Sequence, residues 1–199
     1  MKKSIGSLAA LAVLTLMLAA CRTGVSTAEV VDLYDEGAEA GGIELEMERD
    51  GSIVEAEVDI DVANLPPEIV AAAKARLPGG EITGAEREIQ RDTWAWEVKM
   101  RQDGRDWEFV IAQDGTIREV ERELTADEAP AAVMEAALKA TPNSEFKSVE
   151  LIEHVDGRKE YHVKRTRNGA SYKAVLLEDG TITRRVREHR AEIEIPLTD

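Results

Sequence analysis

WAWEVKMRQDGRDWEFVIAQDGTIREV, residues 94–120, changes character at every second position and breaks twice at Asp-Gly. Trp94, Trp96, Val98 and Met100 alternate with Ala95, Glu97, Lys99 and Arg101. After Asp103-Gly104, Trp107, Phe109 and Ile111 alternate with Glu108, Val110 and Ala112. A period of two belongs to a strand with one apolar face. Asp-Gly supplies residues that accept the positive φ of a tight hairpin. The stretch therefore predicts an antiparallel meander with strands at 81–89, 94–102, 106–112 and 117–123.

The pattern occurs twice. Asp114-Gly115-Thr116-Ile117 returns as Asp179-Gly180-Thr181-Ile182, and at the same offset of 65 Trp96, Val98, Lys99, Gly104 and Trp107 face Tyr161, Val163, Lys164, Gly169 and Tyr172. A fixed internal period marks a repeated structural unit, so the second unit carries strands at 146–155, 160–166, 171–177 and 182–188, with 193–197 able to add one more. A partial third copy of strand, turn and strand lies at 43–53 with no helix expected before it. Each full unit opens on a helix. Residues 65–77 (LPPEIVAAAKARL) place Ile69, Ala73 and Leu77 on one face behind first-turn prolines, with Asn64 as a candidate N-cap. The counterpart spans 129–140, preceded by Thr125 to Glu128 as a capping box or by Asp127 as a cap. The fold class is α+β: two tandem units of helix plus antiparallel meander behind an N-terminal partial β repeat. The divisions are 1–20 leader, 21–42 tether, 43–63 hairpin, 64–124 first unit and 125–199 second unit.

A Leu-Pro-x-x-Ile-Val helix, a Pro-Gly break and an aromatic meander with Asp-Gly turns resembles the PepSY domains of secreted bacterial proteins, over about 64–188 in two copies. The resemblance implies a helix packed across a curved sheet. In tandem it implies a layout similar to that of the beta-lactamase inhibitory proteins, whose joined sheets present a concave surface to an enzyme. It also implies a role in restraining or chaperoning a peptidase, here in trans.

The start of the chain supplies an address. Lys2-Lys3 precedes an apolar run to Ala20, which is short for a membrane span. The run ends at Cys21, the only cysteine, and Leu18-Ala19-Ala20-Cys21 looks like a bacterial lipobox. That family of signals implies cleavage before Cys21 and double acylation, enough for stable membrane anchoring. Arg22 follows where an aspartate commonly retains lipoproteins at an inner membrane, so the outer membrane, facing the periplasm, is expected in a two-membrane cell.

Composition narrows the function. A net charge of −15 disfavours nucleic acid as a partner, and one cysteine excludes a disulfide framework within the chain. His154, His162 and His189 form no His-Glu-x-x-His motif and read as surface histidines, and no serine sits in a Gly-x-Ser-x-Gly elbow. No catalysis and no cofactor are expected. Asp59 and Asp61 share one side of a strand and are calcium candidates against a solvated acidic face. Trp94, Trp96, Trp107 and Phe109 are expected beneath the helix, leaving Glu97, Lys99, Arg101 and Glu108, then His162, Lys164, Thr166 and Lys173, on the other face. Charge falls unevenly: residues 22–64 carry −11, 65–128 carry −6, and 129–199 are neutral. Arg184, Arg185, Arg187 and Arg190 crowd together as a candidate partner contact, or as pairs for the acidic strands. The reading is a lipid-anchored, non-catalytic envelope module that restrains or escorts a secreted enzyme such as a peptidase. A divalent-cation-responsive or structural envelope lipoprotein is the alternative.

Cys21→Ser is expected to move the protein from the membrane fraction to an uncleaved precursor or a soluble form. Labelling with radioactive palmitate checks it, and unchanged membrane association without lipid incorporation would refute the anchor.

Overall fold

The alternating stretches become strands where the period of two predicts them, and Pro-rich segments open the helices between. The computed structural model describes residues 24–37 and 43–189. In chain order the elements are α1 (Thr27–Gly37), β1 (Ile43–Met47), β2 (Ile53–Ile60), a 3-10 turn (Val62–Asn64), α2 (Pro67–Arg76), β3 (Glu81–Gln90), β4 (Thr93–Gln102), β5 (Arg105–Ala112), β6 (Ile117–Leu124), α3 (Ala131–Ala140), β7 (Glu145–His154), β8 (Lys159–Arg167), β9 (Ala170–Leu176) and β10 (Ile182–Glu188). The leader 1–20, Cys21, Arg190 and the strand expected at 193–197 lie outside the described residues.

The ten strands pair antiparallel in chain order, with β1 and β10 at the edges, so the two units share one sheet through β6 and β7. All three helices cover the same face. Against α2 lie Ala85, Val98, Met100, Phe109, Ile111 and Val120; against α3 lie Val149, Leu151, Tyr161, Val163, Ala174 and Leu176. The four aromatics of the first unit are on this face as expected: Phe109 is fully buried and stacks on Trp107 at 6.5 Å, while the three tryptophans are half-buried. Buried Arg87 lies over Trp94 and Trp96 at 4.6 and 4.4 Å and donates to the Ala95 carbonyl at 2.6 Å.

The tether expected over 21–42 is corrected where it is described, because Thr27–Gly37 is a helix. Ser26 and Glu29 form a capping box: Ser26 N and Oγ donate to Glu29 Oε2 at 2.8 and 2.6 Å, and Glu29 N donates to Ser26 Oγ at 3.3 Å. Burial of Val30 and Leu33 against Ala56, Val58 and Ile89 holds it down. The partial repeat thus has a helix before it. Asn64 does not cap α2; Asp61 caps the 3-10 turn by accepting from Ala63 N at 2.9 Å. Thr125 and Glu128 do bond to each other, yet the N-cap position of α3 is Pro130.

The units fill one core slot in two ways. In the first, Leu77, Gly80 and Met100 meet, and a Cβ on Gly80 would come within 2.9 Å of both neighbours. In the second, the equivalent positions are Thr141, Ser144 and Arg165. Arg165 donates to Ser144 Oγ and O at 2.7 and 2.9 Å, and Ser144 Oγ donates to the Thr141 carbonyl. An apolar knot is replaced by a polar one whose buried groups bond each other, which avoids the cost of leaving any unpaired.

The turns also divide. At Asp103-Gly104 and Asn168-Gly169 both residues have positive φ, as a type I′ hairpin requires, whereas at Asp114-Gly115 and Asp179-Gly180 only the glycine does. There the aspartate Oδ1 accepts from the backbone N of Thr116 or Thr181. Gly115 and Gly180 share a φ of 82–83°, but a Cβ on Gly180 would lie 2.7 Å from the Ala132 carbonyl oxygen in α3, against 4.0 Å from the Glu68 oxygen for Gly115. Gly115→Ala is expected to cost about 1–2 kcal/mol for the left-handed backbone alone, and Gly180→Ala distinctly more. Urea denaturation of both variants checks this, and equal losses would mean that the turn's approach to α3 is unimportant.

Candidate functional site

The face that carries no helix is built from the alternate residues of the same strands. Its cross-strand register sets glutamate against glutamate: Glu44 with Glu57, Glu46 with Glu55, Glu57 with Glu88, Glu86 with Glu97, Glu108 with Glu121 and Glu123 with Glu150. Asp59 stands opposite Glu86. Directly opposed like charges destabilise a sheet, so this pattern is a constraint that the rest of the face must offset.

Part of the offset comes from curvature. Glu46 on edge strand β1 lies 4.0 Å from Lys173 on β9 and forms an ion pair with Arg184 on edge strand β10; Arg184 also lies 3.8 Å from Glu48. The two ends of the sheet therefore reach each other across the helix-free face, which is the concave one. Within it Lys99 pairs with Glu86 and lies 3.8 Å from Glu97, and Lys164 lies 3.9 Å from Glu150. Asp106, Glu108, Glu121, Glu123 and Glu150, with the single cation Arg122, line a recess of about 140 Å³ on the same face.

Burial beside other carboxylates perturbs these groups strongly. Burial first, then the charges of Glu55 and neighbours, pushes Glu57 up to about 9 and Glu88 to about 8. Glu121 rises to about 8 through burial and Glu108. Glu97, 7% exposed, is raised well above the usual carboxylate range by burial, Glu108 and Glu57. Burial raises Glu150 as well, and depresses His162 to about 3 with help from Lys173 and Lys164. One oxygen of Glu88, Oε2, is buried without a hydrogen bond.

The residues singled out from the sequence are dispersed. Asp61 serves the 3-10 turn, while Asp59 is exposed and stands beside Glu86. The carboxylates whose oxygens converge are others: Glu55, Glu57 and Glu88 form one group, and Glu121 and Glu150 join His162 in a second. Arg184 faces the concave side and pairs with the acidic strand β1. Arg185 donates to the Ala140 carbonyl at the end of α3 at 2.7 Å, and Arg187 lies 5.8 Å from the Tyr172 ring. Arg190 lies outside the described residues. The surface reading of His154 and His162 is corrected: both side chains are largely covered, at 14% and 20% exposure, and His154 Nδ1 is 3.2 Å from Glu119. His189 is exposed. The burial of the charged face was missed, although a signal existed, since the internal offset already sets His162 against Glu97 and Lys173 against Glu108.

Comparison with known proteins agrees with this architecture. Residues 67–121 match the PepSY family, described as "Peptidase propeptide and YPEB domain". Among curated proteins the chain has no match. Among solved structures it is similar to a Bacteroides eggerthii protein described as periplasmic, with 16% identity, a TM-score of 0.52, and coverage of 61% of this chain and 88% of that one. A DUF2874 family protein from Bacteroides uniformis gives 16% identity and a TM-score of 0.52 over 62% and 89% of the two chains. A BLIP-like protein from Bacteroides fragilis gives 20% identity and a TM-score of 0.49 over 68% and 96%.

The raised carboxyls make stability depend on pH. Between the ordinary value of 4.5 and the folded values of about 8–9, folded Glu57 and Glu88 hold protons that the unfolded chain releases. Stability therefore falls as pH rises through that window. His162 acts oppositely and only on the acid side, because below 6.5 the unfolded imidazole binds a proton that the folded one does not. With a chelator present, the urea midpoint is expected to be higher near pH 6 than near pH 9, and Glu57→Gln to flatten part of the slope. A midpoint that climbs toward pH 9 would contradict the assignment.

Proposed function

We propose that this chain is a lipid-anchored, non-catalytic binding module of the bacterial cell envelope that restrains or escorts a secreted peptidase in trans. The observation that carries the reading is the carboxylate-on-carboxylate register of the concave face. A strand register is fixed by the sequence pattern, and one that opposes glutamates in six places lowers the stability of the free protein. A Lys- or Arg-rich segment of a partner relieves that repulsion on binding, so affinity is drawn from strain already present in the free state. The open entry is at Glu108 and Glu123, which line the recess. The exposed Arg185 and Arg187 on edge strand β10, on the helix-bearing side, form a second contact of opposite sign.

The peptidase as partner class is supported by the match of residues 67–121 to a domain described by peptidase propeptides. The envelope is supported by the Cys21 signal and by likeness to a protein described as periplasmic. Acylation at Cys21 would place the module at the membrane, facing the periplasm where the cell has two membranes.

The test is capture from a bacterial envelope extract with the full chain, followed by purification of what is held and a titration of its activity. One secreted peptidase is expected at equal stoichiometry, its activity changing in proportion to the protein added. Release at high salt and at least tenfold weaker binding by a Glu108→Lys/Glu123→Lys variant are also expected. An empty capture, or equal binding by the charge-reversed variant, would overturn the reading.

A further inference from the structure

The second convergent group on the concave face combines two chemistries. Glu121 on β6, Glu150 on β7 and His162 on β8 come from three consecutive strands, with one ligand atom of each within 4.8 Å of the others. Glu150 and His162 are direct cross-strand partners, and Glu121 is diagonal to Glu150. Placement by three paired strands is rigid, as a coordination site needs.

Two features separate this group from a patch of like charge. An imidazole stands at the β8 end of the group, directly across from Glu150, and its nearest ionic neighbour is Glu160 at 4.0 Å. Among the described residues Glu121 makes no hydrogen bond or ion pair, although it is largely covered and lines the recess of about 140 Å³. The charged groups around the site are Asp106, Glu108, Arg122 and Glu123 at the recess, Glu160 beside His162, Lys164 3.9 Å from Glu150, and Lys173, which reaches toward Glu46. Their balance leaves the site negative.

We propose that Glu121, Glu150 and His162 bind a divalent transition metal of the zinc class, with one imidazole nitrogen, two carboxylate oxygens and a remaining position open to the recess. Mixed nitrogen and oxygen donors suit zinc and its neighbours, while calcium selects an all-oxygen shell. Coordination takes a neutral imidazole and ionised carboxylates, so binding is expected to weaken as the pH falls. The remaining position would take water or a donor from a partner, so the metal could add a specific contact to an otherwise ionic interface. The site stands on its own residues and does not depend on the partner proposed above.

The experiment is titration of the full chain, stripped with chelator, with Zn²⁺, followed by calorimetry and by the imidazole signals of its three histidines in a ¹H–¹⁵N spectrum. One equivalent is expected to bind and to shift the His162 ring while His189 stays in place, with excess Ca²⁺ failing to compete. His162→Gln and Glu150→Gln are each expected to weaken binding at least tenfold, and Glu88→Gln, in the neighbouring carboxylate group, to leave it unchanged. The spectrum of the parent protein decides the matter even if a variant does not fold. No stoichiometric binding, an unmoved His162 ring, or equal competition by Ca²⁺ would overturn the proposal.

Discussion

The pairing of β6 with β7 governs the rest of the molecule. It joins the two units edge to edge in register, so the two faces of one unit continue into those of the other from β1 to β10. Once that parity is fixed, every apolar stripe points one way. The three helices must then share one face, since each has an apolar side that needs covering and only that face can cover it. The opposite face receives what is left, which is mostly charge.

A flat sheet would leave that charge in water. This sheet curls, and the ends explain why: β1 carries Glu46 and is followed by Glu48, while β9 and β10 carry Lys173 and Arg184. The acidic start and the cationic end attract across the hollow, and closing it takes Glu57, Glu97 and Glu121 out of solvent. Charges removed from water must be paired or neutralised. Lys99, Lys164, Lys173 and Arg184 pair some of them, and the raised carboxyls keep protons instead. The perturbed protonation on this face thus follows from curvature, and curvature from the uneven charge of the two ends.

The strands were legible because a period of two, punctuated by Asp-Gly and Asn-Gly, has few other structural meanings. The repeat sharpened them, since each unit served as a check on the other. The helix at Thr27–Gly37 was hidden by the four glycines of the surrounding segment 23–42, although Ser26 to Glu29 carries the capping-box spacing. The burial of the concave face was not legible. Alternation says that Glu97 and His162 oppose the helix-bearing face, and a charged face reads as solvated. Only the contact of β1 with β10, between residues more than a hundred positions apart, turns it inward. The scatter of Arg184, Arg185 and Arg187 over two faces has a simpler cause: neighbours along a strand point to opposite sides.

Comparison of the units separates scaffold from specialisation. Positions that build the turn and the core repeat closely, as with Val98 and Val163, Ala73 and Ala137, or Gly115 and Gly180. The concave positions diverge. Glu97 and Glu108 of the first unit become His162 and Lys173 in the second, while Glu86 and Lys99 stay as Glu150 and Lys164, at the same places in the same strands. Core substitutions between the units swap one packing solution for another, as Leu77 and Met100 against Thr141 and Arg165. The concave substitutions do something different: they change sign and ligand character without altering the backbone. A mainly acidic half and a more mixed half therefore face one hollow, and the imidazole enters where its two carboxylate neighbours come from the junction strands β6 and β7. Neither unit alone could assemble that group, because Glu121 belongs to the first and His162 to the second.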